Sequence, residues 1–565
     1  MAKEDKIYSS PYFKYSLNGL QRLITNTNTD NLSNSFGSSH RDFWLYKTSD
    51  FSDSVRNFSS NAFALASTHP YFSLSQKNFL KDLAKASILF WTKIQHKDGS
   101  FDEFYPYERG WVGPTAFTLY SNIEAFQTIS ETFTELEKKV FLKSVINAAK
   151  YITAGDKEGD DLANHHAMAY LSLMKTYELI QDERIYKDAL LSFDGYLKYH
   201  EKNECWSLEY DGIDPGYLSA SCSFLAKTLS INNNPDVIEL IKIYSKTLKI
   251  FCFPDGTFAG PIGSRNTMHL YPYAFELLSE IDQNILQIAK FSQFSLETGN
   301  AINPDLMSDR YLPYRVEEYL STDKIFLLGK AKVFINNENY RDSSLKNEIY
   351  LKKAGIYHKS DSKKFITVNL AKNLVINAYE KKQSESKWER FSFTGTRILD
   401  KKGLYTSQYI SKKTKYKIEK NILCISGYLA KIPTENSFNL PKNILFRIAL
   451  IFCSQSTVLS NLLKKIIRKI LMFSKKDNKY KIDAKFDMEK LIMEIKISSK
   501  NSAQPIDINF GTNISDRYVP QSRFARISDM ELNQSLITKK DKLSLLKELK
   551  TKRRIICKVN FKKSP

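Results

Sequence analysis

The chain has few of the marks that place a protein quickly. Its six cysteines (Cys205, Cys222, Cys252, Cys424, Cys453 and Cys557) form no Cys-x-x-Cys pair, which excludes a zinc ribbon or a dithiol redox motif. No His-Glu-x-x-His zinc motif occurs. Glycine and proline, at 20 and 16 residues, are too sparse for a collagen-like or low-complexity chain. The first residues, MAKEDKIYSSPYFKYSLNGL, carry both charges and no apolar core of a secretory signal. With scattered cysteines in a long chain, that sets the expectation of a reduced, cytoplasmic protein. No helix-turn-helix, RNA-recognition or zinc-finger pattern is present, and the basic charge is spread out, so no nucleic-acid partner is expected.

The 565 residues are 42% apolar and 13% aromatic, enough to bury a core and too apolar for disorder. The length exceeds what one core supports, which implies two or more domains. Lysine and arginine number 83 against 62 acidic residues, and the net charge of +21 favours an acidic partner.

Residues 1–70 are polar and Ser/Asn-rich and read as an irregular lead-in. From about Gln76 to Asn300 apolar residues recur at helical spacing, as in QKNFLKDLAKASILFWTKIQ, ETFTELEKKVFLKSVINAAKYI and DVIELIKIYSKTLKIF. Similar loops follow the helices: Asp98-Gly99-Ser100-Phe101, then Asp160-Asp161, Tyr210-Asp211-Gly212 and Asp255-Gly256-Thr257-Phe258. Such recurrence fits a ring of helical hairpins with its loops on one rim, set over residues 71–325. Asp-Gly is also ordinary helix-stop punctuation.

Residues 326–565 change character. AGIYHKSDSKKFITVNLAKNLVINAY, GLYTSQYISKKTKYKIEKNILCISGYLAKI, DMEKLIMEIKISS and RRIICKVNFK alternate and are rich in β-branched and aromatic residues, the pattern of an antiparallel β-sandwich. One segment, 441–476, interrupts it. Leu462, Leu463, Ile466, Ile467, Ile470 and Leu471 share one helical face there, and Lys464, Lys465, Arg468 and Lys469 share the other. Its uncharged part is shorter than the ~20 residues a spanning helix needs. The profile fits a helix lying on an anionic membrane surface, or one docked on its own protein with a solvated basic face.

Four loops hold the residues with chemistry. The first joins Gln95 and Asp98 to Asp102, Glu103, Tyr105, Arg109 and Trp111, a mix of carboxylates, aromatics and arginine suited to a sugar. Its Gln-x-x-Asp-Gly-Ser-Phe piece resembles the structural repeat of terpenoid cyclases, which implies that Gln95 and Asp98 tie helices together. The second is Asn164-His165-His166 at a helix start, with Asp161 and Asn164 as caps; adjacent histidines diverge on a helix and make poor joint metal ligands. The third runs from Glu209 through Tyr210, Asp211 and Asp214 to Tyr217, with Pro215 opening a helix. The fourth is Gly263-Ser264-Arg265-Asn266-Thr267-Met268-His269, where Arg265 can grip a carboxylate and Asn266 can cap a helix.

An Asn-His pair leading a helix, with a tyrosine about 53 residues on in an Asp-Pro-Gly-Tyr turn, is similar to heparinase II/III-type and alginate-type polysaccharide lyases. The resemblance implies an α+β chain, an N-terminal (α/α) toroid followed by a C-terminal antiparallel β-sandwich. It implies β-elimination on a uronate glycan, with Asn164 on the carboxylate, His165 or His166 as base, and Tyr217 as base or acid. Arg265 and His269 join the site by loop position alone. Asp102, Glu103, Tyr105, Arg109, Trp111, Tyr210, Asp211 and Asp214 complete the substrate-binding set. No cofactor and no metal are expected. The lyases' His-Gly-His-x-Asp segment is missing: the β half holds only His358. The expected partner is an acidic polysaccharide or lipid-linked glycan, in the making or trimming of cell-surface material at an inner leaflet. A hydrolase or a uronate C5-epimerase on the same fold, using Asp102, Glu103, Asp211 and Asp214, and a non-catalytic glycan-binding protein are the alternatives.

Overall fold

The computed structural model describes residues 10–107, 112–155, 162–334, 340, 346–382, 387–411, 413–433, 439–471, 478–511, 515–516 and 536–561. Among these, twelve helices build a closed ring in two layers. The outer layer is α1 (Phe13–Asn26), α3 (Leu74–Ile94), α5 (Glu135–Gly155), α7 (Glu183–Leu197), α9 (Pro235–Leu248) and α11 (Gln283–Glu297). The inner layer is α2 (Ser60–Thr68), α4 (Val112–Ile129), α6 (Ala163–Ile180), α8 (Pro215–Lys227), α10 (Tyr273–Leu277) and α12 (Leu312–Leu327). Each inner helix packs on the next inner one, and α12 returns to α2, which closes the circle.

The two layers differ in sequence for a physical reason. Outer helices face solvent on one side and are amphipathic; Leu80, Leu83, Ala84, Ser87 and Trp91 line the buried stripe of α3. Inner helices are covered all round. Ser60 to Ser67 of α2 are buried without a break, as are Ala163, Asn164 and His166 to Thr176 of α6. Serine, threonine, alanine and glycine allow that close approach, and the hydroxyls bond back to the helix, as Thr176 Oγ1 does to Ser172 O at 2.8 Å. A charged knot also sits inside the ring. Lys227 Nζ lies 3.2 Å from Glu317 and 3.0 Å from Glu318 with all three side chains buried, and the Tyr120 hydroxyl donates to Glu317 at 3.1 Å.

The expected irregular lead-in is corrected by the structure. Residues 13–26 and 60–68 supply one outer and one inner helix, and the Tyr12 hydroxyl reaches Glu276 at 2.5 Å. Phe13, Leu20 and Leu23 make α1 amphipathic, whereas α2, built largely of small residues, is buried along its length and has no polar stripe.

The C-terminal half is antiparallel β-structure in three sheets. A meander runs β4 (Asn347–Leu351), β5 (Ile356–Ser360), β6 (Lys364–Asn369), β7 (Val375–Lys381) and β8 (Trp388–Phe393). A second sheet has the order β11-β12-β14-β15-β17, from Lys415–Glu419, Ile422–Tyr428, Tyr480–Asp487, Ile492–Ser499 and Arg554–Asn560. A smaller sheet has the order β13-β10-β9-β16, from Ala430–Ile432, Gly403–Thr406, Gly395–Asp400 and Pro505–Gly511. The earlier strands β1 (His200–Glu201), β2 (Trp206–Glu209) and β3 (Gly212–Ile213) form a small sheet on the ring.

The central strands β5, β6 and β7 of the meander are buried on both faces, which explains their near-continuous apolar runs. Phe365, Val375 and Tyr379 join the ring's core, while Ile366, Val368, Ile376 and Ala378 join the sandwich core. The same alternation aims polar groups at the ring loops: Thr367 Oγ1 donates to Ile250 O at 3.1 Å and Asn369 Nδ2 to Ile262 O at 2.6 Å. His358 belongs to this layer, 1% exposed, with its ring nitrogens 3.0 Å from Thr367 Oγ1 and 3.1 Å from Ser360 Oγ.

The segment expected to be an amphipathic insertion is a helical hairpin, α13 (Leu440–Gln455) and α14 (Thr457–Leu471), between β13 and β14. No helix of the described residues is long and apolar enough to cross a membrane. A last helix, α15 (Lys539–Lys552), packs on β16 and β17.

Burial pushes the Glu276 carboxyl up to about 8, against its bonds from Tyr12 and Gln293. A carboxyl raised from 4.5 binds more protons folded than unfolded, so its contribution is intact below 4.5 and is lost as pH rises towards 8. Glu276→Gln is therefore expected to flatten the fall of the thermal midpoint across that interval, measured by melting at stepped pH.

Candidate active site

Because hairpins alternate outer and inner, all inner helices run the same way and their N-termini meet at one end of the ring. The outer-to-inner loops form that rim. Two of them share one local design. In Asp98-Gly99-Ser100-Phe101, Asp98 Oδ1 accepts from Ser100 N at 3.1 Å and Ser100 Oγ at 2.6 Å; in Asp255-Gly256-Thr257-Phe258, Asp255 Oδ1 accepts from Thr257 N at 2.9 Å and Thr257 Oγ1 at 2.6 Å. Gly99 and Gly256 take φ of 91° and 82°, a region that favours glycine. Gln95 Nε2 bonds Gly99 O at 3.2 Å and Ser144 O at 2.9 Å, so this residue ties α5 to the loop.

The chemistry gathers where α6 and α8 begin. Pro215 opens α8, and Asp214 caps it by accepting from Tyr217 N at 3.2 Å. Asn164 lies in the first turn of α6, and its Nδ2 donates to Glu209 Oε1 at 2.6 Å. Arg265 joins the two helices: its Nη2 meets Glu209 at 3.3 Å and its Nε meets Asp214 at 3.0 Å. The guanidinium carbon lies 4.1 Å from the Tyr210 ring centroid and 4.4 Å from that of Tyr217, stacked between the two phenols. Asn164 and Tyr217, 53 positions apart, are thus joined through Glu209 and Arg265.

Electrostatics sort the roles. Burial raises the Glu209 carboxyl, opposed by Arg265 and the Asn164 amide, and His165 is near enough to act on it too. Burial would lower the Arg265 pKa, but Asp214, Tyr210, Tyr217 and Glu209 outweigh it, so the cation is fixed. Burial also pushes the Tyr217 phenol well above its ordinary value despite the Arg265 charge. Tyr217 therefore rests protonated.

The two histidines diverge. The half-buried His165 stands over Gly113 of α4, where an added Cβ would come within 2.6 Å of its ring, and beside Phe117. His166 turns to the outer layer and stacks on Tyr199 at 5.0 Å. His269 is fully buried behind Tyr217, in edge contact at 5.7 Å; burial, with Arg315 and Arg265 nearby, holds its pKa well below the usual value. It is a neutral packing group rather than a substrate contact. Arg265 grips two carboxylates of its own chain, through Nε and Nη2. Asp214 is consumed as cap and counter-ion. No helix starts at Asn266; α10 begins at Tyr273.

Of the first loop, Asp102 pairs with His96 at 2.8 Å and Glu103 with Arg310 at 3.2 Å. The second oxygen of Glu103 is buried with no hydrogen-bond partner among the described residues. Tyr105 packs its ring against Phe446 of α13 at 5.0 Å. Asp211 sits half-buried in the β2–β3 turn. Arg109, Trp111, Asp160 and Asp161 lie outside the described residues. No group of three or more His, Cys, Asp or Glu able to hold a metal occurs among the described residues.

Sequence reasoning missed the contribution before and inside α12. Arg310 bonds Asp53 at 2.7 Å and lies 4.0 Å over Phe104, Tyr311 neighbours Tyr217 electrostatically, and Tyr314 stacks on Phe58 at 4.4 Å. The signal was present in Arg310-Tyr311-Leu312-Pro313-Tyr314-Arg315, a proline-started helix with aromatic and cationic residues in its first turn, as in Asp214-Pro215-Gly216-Tyr217.

No family model matches the chain, and no curated protein matches it. Among solved structures it is similar to a GH127 β-arabinofuranosidase, with a TM-score of 0.31 and 11% identity over 75% of this chain and 71% of that one.

Arg265→Met strands two buried carboxylates and is expected to cost about 3–5 kcal/mol. Equilibrium denaturation in urea measures this; a loss under about 1 kcal/mol would contradict the bridging role.

Proposed function

We propose that the protein is a polysaccharide lyase-type enzyme that cleaves a uronate-containing glycan by β-elimination. The observation carrying this reading is a phenol kept protonated by burial, at Tyr217, linked through Arg265 and Glu209 to Asn164 beside His165. The difficulty of the reaction is the weak acidity of the C5 hydrogen. Asn164 gives one amide hydrogen to Glu209 and has a second to offer the substrate carboxylate, at the rim where inner helices begin. Drawing charge from that carboxylate acidifies C5. His165, held over Gly113, takes the C5 proton; the electron pair becomes the C4=C5 double bond as the C4–O bond breaks. Tyr217 protonates the departing oxygen. Glu209 orients Asn164, and Arg265 holds both partners in place.

The hydrolase alternative has one observation in its favour, the unpartnered buried oxygen of Glu103. The readings separate on product and on residues. With uronate glycans the lyase raises ultraviolet absorbance at the unsaturated-uronate band, and Tyr217→Phe or Asn164→Ala lowers kcat by roughly 10²–10⁴. Reducing ends without that absorbance, lost in Glu103→Gln and kept in Tyr217→Phe, would establish the hydrolase instead.

Gly113→Ala places a methyl against the His165 ring. The expected result is a fall in kcat of about tenfold or more with little change in melting temperature, since the imidazole can swing aside while its proton-accepting position is lost.

A further inference from the structure

The hairpin of α13 and α14 presents an apolar face to solvent. Ile444, Leu445, Ile448, Ile451 and Phe452 recur at helical spacing on α13 and are 46–67% exposed. On α14, Leu459, Leu462 and Ile466 are 43–53% exposed. The arrangement differs from a basic face in solvent with the apolar face docked inward: Lys464 is buried while Leu462 and Ile466 face out. The side chains of Arg468, Ile470 and Leu471 lie outside the described residues. Isolated exposed leucines are ordinary, but a continuous stripe over two helices marks a docking surface.

Charge selects the occupant. Residues 441–476 contain eight lysines and arginines and no acidic residue, in a chain that is otherwise 62 residues acidic. Lys442, Lys465 and Lys469 are exposed on the same hairpin. Neither helix is long enough to cross a bilayer. Short apolar stripes flanked by cations, without acids, match the boundary between acyl chains and anionic headgroups.

The hairpin is also fixed to the site's rim. It leaves the β half between β13 and β14 and seats on rim loops: Phe446 against Tyr105, Ser460 Oγ donating to Tyr107 O at 2.9 Å, and Arg447 to Asp50 at 2.6 Å. The meander meets the rim elsewhere, at 250–262, so β-half segments hold the mouth on two sides of the ring.

We infer that the α13–α14 hairpin docks the protein on an anionic lipid surface with the rim of the ring beside the bilayer. That a membrane-anchored acidic glycan is the substrate rests on the lyase reading; the docking surface does not.

The test uses the full chain and sedimentation with phosphatidylcholine vesicles, with or without phosphatidylglycerol. The wild type is expected to pellet with phosphatidylglycerol vesicles and to be released by raised salt. Leu445→Glu with Phe452→Glu abolishes pelleting. Lys465→Glu with Lys469→Glu weakens it on the order of tenfold while keeping the apolar stripe. Turnover of a soluble glycan by both variants matches the wild type, which controls for folding and separates docking from chemistry. A wild type that stays in the supernatant with both vesicle types overturns the proposal. So does a dimer, by light scattering, that Leu445→Glu with Phe452→Glu converts to monomer, because a second copy then covers the face. Absence of lyase product in every form leaves the docking result standing and removes only the substrate class.

Discussion

One buried cation organises the mouth of the ring. Arg265 stands between Glu209 and Asp214, and each carboxylate has a second duty: Glu209 accepts from Asn164 on α6, and Asp214 caps α8. Three separate stretches of chain are thereby held in register around a single charge. Burying three ions is costly unless every one is paired, so the arrangement has no slack. The same charge pulls on Tyr217, yet burial prevails and the phenol keeps its proton. The charge that holds these residues together therefore does not ionise the phenol beside it.

Much of the architecture was legible in the sequence, and the part that was not has a common cause. The three stretches whose periodicity reads most clearly, around residues 76–95, 131–152 and 236–251, became α3, α5 and α9, all of the outer layer. A helix half in water writes its geometry into a polar stripe. The inner helices, enclosed on every side, carry no such stripe, and α2 (SNAFALAST) mixes small polar and apolar residues with no one-sided pattern. The β half was readable for the complementary reason: strands such as β14 and β15 alternate buried and less buried positions along their length.

The helix-start positions of Asn164, His165 and Tyr217 were legible, because they are local facts of the sequence. Partnership was not. Nothing local says that Arg265 is paired with Glu209 and Asp214, that His269 is sealed behind Tyr217, or that His166 turns towards Tyr199. Adjacent histidines on a helix must diverge, but it is Gly113, 52 positions earlier, whose missing side chain leaves room for the His165 ring.

The parallel run of the inner helices has a kinetic consequence. Their N-terminal ends point together at the mouth, where the backbone N–H groups attract negative charge: Asn164 N donates to Glu209 at 3.2 Å and Tyr217 N to Asp214 at 3.2 Å. Any anion approaching that end would meet a field that speeds its encounter. The pull on such an anion weakens as dissolved ions shorten the reach of that field.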